Sequence, residues 1–329
     1  MTEPAPTPNS GKTLADTVAM GPDQESQPAW LKKRNIKTDQ RIKLTRLSHT
    51  RYQHPDLDEI HAFLLDFGLR VALRTDDEVW YKGYGPDQTS KLPGAGPVQQ
   101  LKDAPGGGFL VTVMDPEGYP VNVVWGQEQV QSEPASPPRT RSFSTSHRKR
   151  LAFESSTGSR PGRRLFIRWL GHFGLCTQKF NEQLEFYTSS FNIFPTDFVY
   201  VDADGQRVPV TVFMHLDLGQ EAVDHHSFFL SSNPKAAHVH HSSFEVHDFD
   251  AQQLGHQWLA GKGYRPAWGI GRHVLGSQIF DYWWDVSGNM VEHYADGDQV
   301  NEDTPIGYMP AGEDTLAVWG PKIPGAFLE

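Results

Sequence analysis

The order of apolar and polar positions predicts repeated units of strand and helix along most of the chain. From about residue 42, the string KLTRLSHTRYQHPDLDEIHAFLLDFGLRVALRT is typical of a strand, an amphipathic helix and a second strand. The helix is predicted from Ile60, Phe63, Leu64 and Phe67, whose spacing places them on one face. Ordered structure is therefore expected to begin near residue 42.

Three segments share this order of elements. Each has a histidine near the start of an apolar strand, followed by a polar turn, a helix and an apolar strand. The segments are LSHTRYQHPDLDEIHAFLLDFGL, LGHFGLCTQKFNEQLEFYTSSFNI and HHSSFEVHDFDAQQLGHQWLAGKGY. Two unit ends, MDPEGYPVNVVWG and WDVSGNMVEHYADG, also match as an acidic turn with glycine before an alternating strand. The repetition predicts an α+β fold built from βαβββ modules.

Changes in composition divide the chain further. Residues 1–41 are rich in Pro, Thr, Ser, Gln and Asp and are expected to form a disordered arm. Residues 131–164 mix Ser, Pro, Gly and basic residues, as in a linker or exposed loop. We expect an N-terminal βαβββ-type domain over 42–130, a catalytic domain of two modules over 165–300, and a C-terminal tail over 301–329.

Composition narrows the possible functions. The formal charge of -10 argues against binding the phosphate backbone of nucleic acids, and the single cysteine, Cys176, excludes an intramolecular disulfide and a zinc-thiolate cage. No apolar stretch approaches the roughly 20 residues that span a bilayer. A cytoplasmic protein without nucleic-acid or membrane partners is expected. Most of the fifteen histidines lie after residue 170, where metal or acid–base chemistry is therefore expected.

Three residues in this half are candidate metal ligands. His172 and His241 hold equivalent positions in two repeats, and Glu292 lies among apolar residues in the closing strand NMVEHYA. A carboxylate buried in such a strand is unfavourable unless a cation or a donor compensates its charge. Two imidazoles and one carboxylate form the ligand set of non-haem Fe(II) oxygenases, although Mn, Zn or Ni can occupy it. The pattern predicts one mononuclear metal site.

Neighbouring histidines leave alternatives in this assignment. His240 could replace His241, and His225 could replace His226, because alternation along a strand would place each adjacent pair on opposite faces. The spacing HxxF at His241 parallels HxxL at His172 and favours His241 as the ligand.

Residues from about 165 to 297 resemble the C-terminal, catalytic domain of type I extradiol ring-cleavage dioxygenases of the vicinal oxygen chelate superfamily. The resemblance rests on LGHFGL, DHHSFFL, HSSFEVHDFD, GIGRHVLGSQIFDYWWD and GNMVEHY, in that family's order and close to its spacing. It implies that His172, His241 and Glu292 are the ligands of Fe(II), with Mn(II) as the alternative metal.

The resemblance also implies roles for residues around the metal. His226 would be the acid–base histidine, and His273 and Tyr282 would contact the hydroxyls of the substrate. The implied reaction opens the ring of a catechol-type substrate beside its vicinal diol, with O2 as the second substrate. A homo-oligomer is expected. The alternatives are a metal-dependent enzyme of the same superfamily without redox chemistry, such as an isomerase or lyase, and a ligand-binding protein of the same fold.

The N-terminal half departs from the family pattern. The family has two modules there, and residues 42–130 are too few for both, with the polar stretch TSKLPGAGPVQQLKDAP where strands and a helix would be expected. His49 corresponds to the first ligand, but Asn122 stands where Glu292 stands in the other half, and no histidine matches His241. This half is predicted to be a structural domain without a metal site.

Overall fold

An eleven-stranded sheet organises the C-terminal half in the computed structural model, which describes residues 23–83, 97–128, 165–312 and 315–327. The helices are α1 (Gln27–Arg34), α2 (Leu57–Phe67), α3 (Phe180–Ser190) and α4 (Phe249–Gly261). The strands before residue 130 are β1 (Asp23–Glu25), β2 (Arg70–Arg74), β3 (Val79–Lys82), β4 (Gln99–Gln100), β5 (Phe109–Met114) and β6 (Pro120–Trp125). The later strands are β7 (Ile167–Thr177), β8 (Ile193–Ala203), β9 (Gln206–Leu216), β10 (Val223–Asp224), β11 (Phe228–Ser232), β12 (His238–Val246), β13 (Pro266–His273), β14 (Ile279–Trp284), β15 (Met290–Ala295), β16 (Gln299–Val300), β17 (Ile306–Pro310) and β18 (Ala317–Trp319).

Two βαβββ modules meet at the centre of this sheet. The first contains β7, α3, β8, β9 and β11, and the second contains β12, α4, β13, β14 and β15. Strand β7 pairs parallel with β11 and antiparallel with β12, and β12 pairs parallel with β15. The strand order is β1-β17-β8-β9-β11-β7-β12-β15-β14-β13-β18. The predicted α+β fold of repeated βαβββ modules is confirmed.

Local chemistry explains where the second module's helix begins and how closely it packs. The side chain of Asp248 accepts a hydrogen bond from Ala251 N at 2.7 Å and caps the start of α4. Gly255 faces Leu165 so closely that a Cβ there would lie 2.8 Å from Leu165 Cδ2. All six residues of β15 are buried, as expected for a central strand covered on both faces.

The N-terminal helix α2 packs against this module. Phe63 and Phe67 are fully buried in a core cluster with Trp283, and Phe63 meets Tyr264 edge to face with ring centroids 4.9 Å apart. Asp66 accepts hydrogen bonds from Trp258 Nε1 and Tyr264 OH, both at 3.1 Å. Helix α2 is thereby fixed against α4 and the residues that follow it. Within the described ranges, none of the helices is long and apolar enough to span a bilayer.

The expectation of a disordered arm up to residue 41 was wrong for residues 23–41. Strand β1 pairs antiparallel with β17, and α1 buries Trp30, which is 2% exposed, against Phe194 and Phe198. Burial of this aromatic ring offsets the entropy of ordering a short polar helix. Residues 1–22 lie outside the described residues.

The first strand expected near residue 42 is also absent from the described residues. Ile42 makes only an isolated bridge with Phe191, and Leu44 exchanges hydrogen bonds with the Asn192 side chain, at 2.6 Å to Oδ1 and 3.0 Å from Nδ2. A side chain thus satisfies backbone groups that a strand partner would otherwise satisfy. The predicted linker over 131–164 lies outside the described residues, and the proposed domain boundaries stay a prediction.

The segment expected to be a tail after residue 300 contributes to the sheet. Strand β17 pairs parallel with β8, and β18 pairs antiparallel with β13. Beyond them, a 3₁₀ turn over Gly325–Phe327 packs Phe327 against Trp268 and Tyr282. These strands are short and follow the last repeat, so the repeat pattern gave no sign of them.

Candidate metal centre

Three adjacent strands bring the predicted ligands to one face of the sheet. In the register, His172 on β7 lies opposite Ser243 on β12, and Ser243 lies opposite Glu292 on β15. His241 precedes Ser243 by two residues and therefore shares its face. The equivalence of the two modules thus places one ligand on each first strand, and the closing strand supplies the third.

The ligand atoms converge. His172 Nε2 lies 3.0 Å from His241 Nε2 and 3.1 Å from Glu292 Oε2, and His241 Nε2 lies 3.4 Å from the same oxygen. Glu292 is 0% exposed, and both histidines are buried as well. Three donor atoms of types that bind divalent metals therefore surround one point in the interior.

The donor set fits a divalent metal ion. Within the part of the chain that the structure describes, neither oxygen of Glu292 has a hydrogen-bond partner, and neither has Nδ1 of His172. A buried carboxylate whose charge is not compensated by a cation or a hydrogen-bond donor would destabilise the protein by several kcal/mol. Ligand atoms that are each about 2.1 Å from one metal ion lie about 3.0 to 3.4 Å from one another. The three distances between the donor atoms of His172, His241 and Glu292 fall in this range.

The protonation states of His172 and Glu292 suit metal binding. Burial lowers the pKa of His172 to about 4, against the opposing effect of Glu292, so the imidazole is neutral at pH 7. Burial alone would raise the pKa of Glu292, but its contacts with His172 and His241 outweigh burial and hold that pKa well below its usual range. Neutral imidazole and ionised carboxylate are the forms that bind metals.

A chain of hydrogen bonds determines which nitrogen of His241 faces the centre. His240 Nε2 lies 3.1 Å from the Phe327 carbonyl, which only accepts, so His240 carries its proton on Nε2. Its Nδ1 is then the acceptor for His241 Nδ1–H at 2.8 Å. His241 Nε2 keeps its lone pair toward Glu292. Burial lowers the pKa of His240 to about 3, which keeps this ring neutral.

The expectation that His240 and His241 lie on opposite faces of the strand was wrong, because their rings contact each other. The register shifts between Val239 and His241, and this bulge lets the two adjacent rings contact each other. Of the two, His241 contacts His172 and Glu292, as the repeat spacing had favoured.

The predicted acid–base residue lies beside the ligands. His226 lies two residues before β11, the strand that pairs with β7. The ring centroid of His226 lies 4.1 Å from that of His172. Burial, followed by the neighbouring histidines, lowers its pKa well below the usual range, so the ring is neutral at pH 7. A neutral imidazole at this position can accept a proton.

The two predicted substrate contacts form a hydrogen-bonded pair on the other side of the ligands. His273 Nδ1–H donates to the Leu316 carbonyl at 2.8 Å, which leaves Nε2 to accept from Tyr282 OH at 3.0 Å. Tyr282 lies opposite Glu292 in the register of β14 and β15, and its ring centroid is 5.0 Å from that of His241. Burial and the charge of Glu292 raise the pKa of Tyr282 well above its usual range.

All six residues predicted from the sequence therefore lie in one cluster, and all of them except His273, which is half-buried, are buried. Sequence reasoning did not assign the groups that orient them: the carbonyls of Phe327 and Leu316, and the histidines at positions 225 and 240. The doublets at 225–226 and 240–241 were the available signal, but they were considered only as alternative assignments.

Comparisons with known proteins show what the whole chain is similar to. No protein-family model matches the chain. Metapyrocatechase 2 of Cupriavidus necator is 29% identical over 314 residues, covering 86% of this chain and 91% of the relative. That relative is similar over nearly its whole length.

Solved structures share the fold at low identity. A homoprotocatechuate 2,3-dioxygenase from Brevibacterium fuscum, in complex with 3,4-dihydroxyphenylacetate, superimposes with a TM-score of 0.66 at 16% identity, over 88% of this chain and 93% of its own. A Mn(II)-bound glyoxalase from Novosphingobium aromaticivorans gives 0.62 at 16% identity, over 83% and 90%. These similarities confirm the resemblance of the chain to type I extradiol ring-cleavage dioxygenases and show that it has the vicinal oxygen chelate fold.

Proposed function

We propose that this chain is an extradiol dioxygenase that uses O2 to open the aromatic ring of a catechol-type substrate at a mononuclear Fe(II) site. The observation that carries the proposal is the His172, His241 and Glu292 set with an acid–base histidine on one side and a His–Tyr pair on the other. In the reaction, the ring C–C bond beside the diol breaks and both atoms of O2 enter the product.

The three ligands would hold the iron and leave coordination positions open. When bound, Fe(II) supplies a redox-active Lewis acid that lowers the pKa of hydroxyl groups it contacts. Mn(II) suits the same ligands and is the alternative metal. The contributions of the chain's own residues follow from their hydrogen bonds.

His226 would remove a proton from a substrate hydroxyl and later return one. Its Nδ1 lies 3.0 Å from His225 Nδ1, so Nε2 is the nitrogen available for proton exchange. Because burial keeps this ring neutral, it can accept the proton without first losing one.

The His273 and Tyr282 pair would orient the diol. The phenol hydrogen donates to His273 Nε2, and the Tyr282 oxygen can then accept from a substrate hydroxyl. Packing of Trp268 and Phe327 around Tyr282 restricts the ring and limits access of water to it. Fixed donors and acceptors of this kind lower the entropy cost of reaching a reactive orientation.

A second candidate is a metal-dependent reaction without oxygen, which the superposition with a Mn(II)-bound glyoxalase favours. Such a reaction needs the three ligands and has no need of a His–Tyr pair that orients a diol. A ligand-binding protein of this fold would need neither the open coordination positions nor the buried acid–base histidine. Both alternatives predict no consumption of O2 with any catechol.

The experiment is oxygen uptake by protein loaded anaerobically with Fe(II), Mn(II) or Zn(II). The probes are catechol, 3-methylcatechol, 4-methylcatechol, 3,4-dihydroxyphenylacetate and 2,3-dihydroxybiphenyl. We expect Fe(II)-loaded protein to consume O2 and form a yellow ring-opened product, and Zn(II)-loaded protein to do neither. If no catechol in the panel leads to O2 uptake, the dioxygenase proposal fails. Light scattering on the same sample tests the predicted homo-oligomer.

A further inference from the structure

A second buried histidine lies behind His226 and has no role in the function proposed above. His225 is 3% exposed, and its Nδ1 lies 3.0 Å from His226 Nδ1. On the other side of its ring, Nε2 lies 2.6 Å from Asp197 Oδ2. The Asp197 side chain is 13% exposed, so it stands between the buried pair and solvent.

The fold holds His225 from several directions. Thr196 Oγ1 donates to the His225 carbonyl at 2.7 Å and accepts from His215 Nδ1–H at 2.7 Å, and His225 N donates to Asp298 O at 3.0 Å. A Cβ at Gly276 would lie 2.7 Å from His225 Nδ1, so that glycine backbone packs directly against the ring. The ring of His225 therefore has little freedom to turn.

The order of these hydrogen bonds determines which nitrogen of each imidazole carries a proton. A carboxylate only accepts, so His225 carries a proton on Nε2 and donates it to Asp197. The Nδ1 of a neutral His225 is then an acceptor, and His226 must carry its own proton on Nδ1. His226 Nε2 is left with a lone pair.

We propose that Asp197 and His225 are positioning residues that fix the tautomer and orientation of His226, so that Nε2 accepts the proton of the substrate. This inference rests on the acid–base role given to His226 in the proposed function. The opposite arrangement, a His225 cation donating from Nδ1, would place the proton of His226 on Nε2 and leave no lone pair for catalysis.

Asp197 reaches His225 because of an irregularity in its strand. The pairing of β8 with β9 shifts register between Pro195 and Asp197. Such bulges redirect side chains, and here the carboxylate points to the histidine doublet from a neighbouring part of the sheet. The arrangement needs the histidine immediately before His226 and an acidic residue at position 197, so the two form a testable unit.

A matched pair of variants separates positioning from packing. His225→Phe keeps a ring but removes both nitrogens, whereas His225→Asn places an amide oxygen near the former Nδ1 and can still accept from His226. We expect kcat of His225→Phe to fall about 10- to 100-fold, with KM and metal affinity little changed, and His225→Asn to recover most of that loss. A packing role predicts the reverse order, because Asn leaves a void that Phe fills.

The control is a histidine next to an aspartate in an exposed setting. His247 Nε2 lies 3.9 Å from Asp248 Oδ2, and both side chains are more than two-fifths exposed. His247→Phe and His247→Asn should leave kcat unchanged. Equal activity of the two His225 variants, or a better His225→Phe, overturns the proposal.

A second readout needs no turnover. Spectra of 15N-histidine in Zn(II)-loaded protein should show His226 protonated on Nδ1, with its signals identified by their loss in His226→Gln. The His225→Phe variant should shift that proton toward Nε2. A wild-type His226 protonated on Nε2 overturns the proposal. If the tautomer is as expected but no catechol is cleaved, the proposed function fails and the positioning of His226 stands.

Discussion

His241 Nδ1 lies 2.8 Å from Nδ1 of His240, and this contact aims the other nitrogen of His241 at the metal centre. The same contact recurs at 3.0 Å between His226 and His225. In each doublet, Nδ1 of the first residue accepts a hydrogen bond from Nδ1–H of the second residue and so selects the tautomer of the residue that faces the site. The next partner differs, being the Phe327 carbonyl in one doublet and the Asp197 carboxylate in the other.

The first doublet predicts an effect on metal affinity. His240→Phe removes the acceptor for His241 Nδ1–H and should weaken Mn(II) binding about 10- to 100-fold. His240→Asn keeps an acceptor near the same place and should lose much less. Titration of the protein with Mn(II), followed by the paramagnetic signal of the free ion, measures both. Wild-type affinity in His240→Phe would show that the hydrogen bond does not orient the ligand.

The buried carboxylate of Glu292 should link metal binding to the stability of the fold. Because its oxygens are buried and have no hydrogen-bond partner among the described residues, a metal should stabilise the fold strongly, by about 3 kcal/mol at a hundredfold excess over Kd. Glu292→Gln should lose most of this rise in Tm, and the exposed Glu302→Gln should keep it. Scanning calorimetry with and without Mn(II) measures the rise in Tm. An equal rise in Tm for both variants would contradict the assignment of Glu292 as a metal ligand.

The triad itself could be predicted from the sequence, because the repeats placed His172 and His241 in register and Glu292 in a closing strand. The tautomer of each histidine could not, because it depends on a carbonyl 87 residues away from His240 and on a carboxylate 28 residues before His225. The bulge that brings His240 against His241 was also hidden, since strand alternation predicts the opposite arrangement. Side-chain contacts across modules are set by packing, which the local pattern does not encode.

The N-terminal arm shows a different limit. Average composition over residues 1–41 is that of a disordered segment, yet α1 buries the Trp30 ring against Phe194 and Phe198, and Leu31 packs against the same core. A composition average gives one aromatic residue little weight, whereas the free energy of folding gives it a great deal.

Trp30 therefore predicts a large loss of stability from one substitution in that arm. Trp30→Ala should lower the free energy of unfolding by about 3 to 5 kcal/mol, as expected for removing a fully buried aromatic ring. Trp319, which is 43% exposed, is the matched control, and Trp319→Ala should change it by about 0.5 kcal/mol. Urea unfolding monitored by circular dichroism measures both. Similar effects at the two positions would mean that α1 is not anchored by Trp30.

The burial of His215 should cause part of the pH dependence of stability. Burial lowers its pKa from 6.5 to about 4 in the folded protein, so the unfolded chain binds more protons between these values. The stability contribution is therefore complete above pH 6.5 and is lost as the pH falls toward 4. Between pH 7 and 5, this residue should account for a loss of about 2 kcal/mol.

The variant His215→Asn tests that sign. Its amide can still donate to Thr196 Oγ1, which accepts from His215 Nδ1–H at 2.7 Å, but it does not titrate. Urea unfolding at pH 7 and pH 5 should show a smaller loss for the variant than for the wild type. An identical loss would mean that His215 is protonated in the folded protein at pH 5.

Ring opening by O2 is the central claim, and isotope incorporation tests it most directly. Protein loaded with Fe(II) under anaerobic conditions is mixed with the best catechol of the panel and 18O2, and the product is analysed by mass spectrometry. The proposed function predicts one O2 consumed per catechol and two 18O atoms in a ring-opened product cleaved beside the diol, with no product from His241→Ala. Cleavage between the two hydroxyl carbons, or no O2 consumption at all, would contradict it.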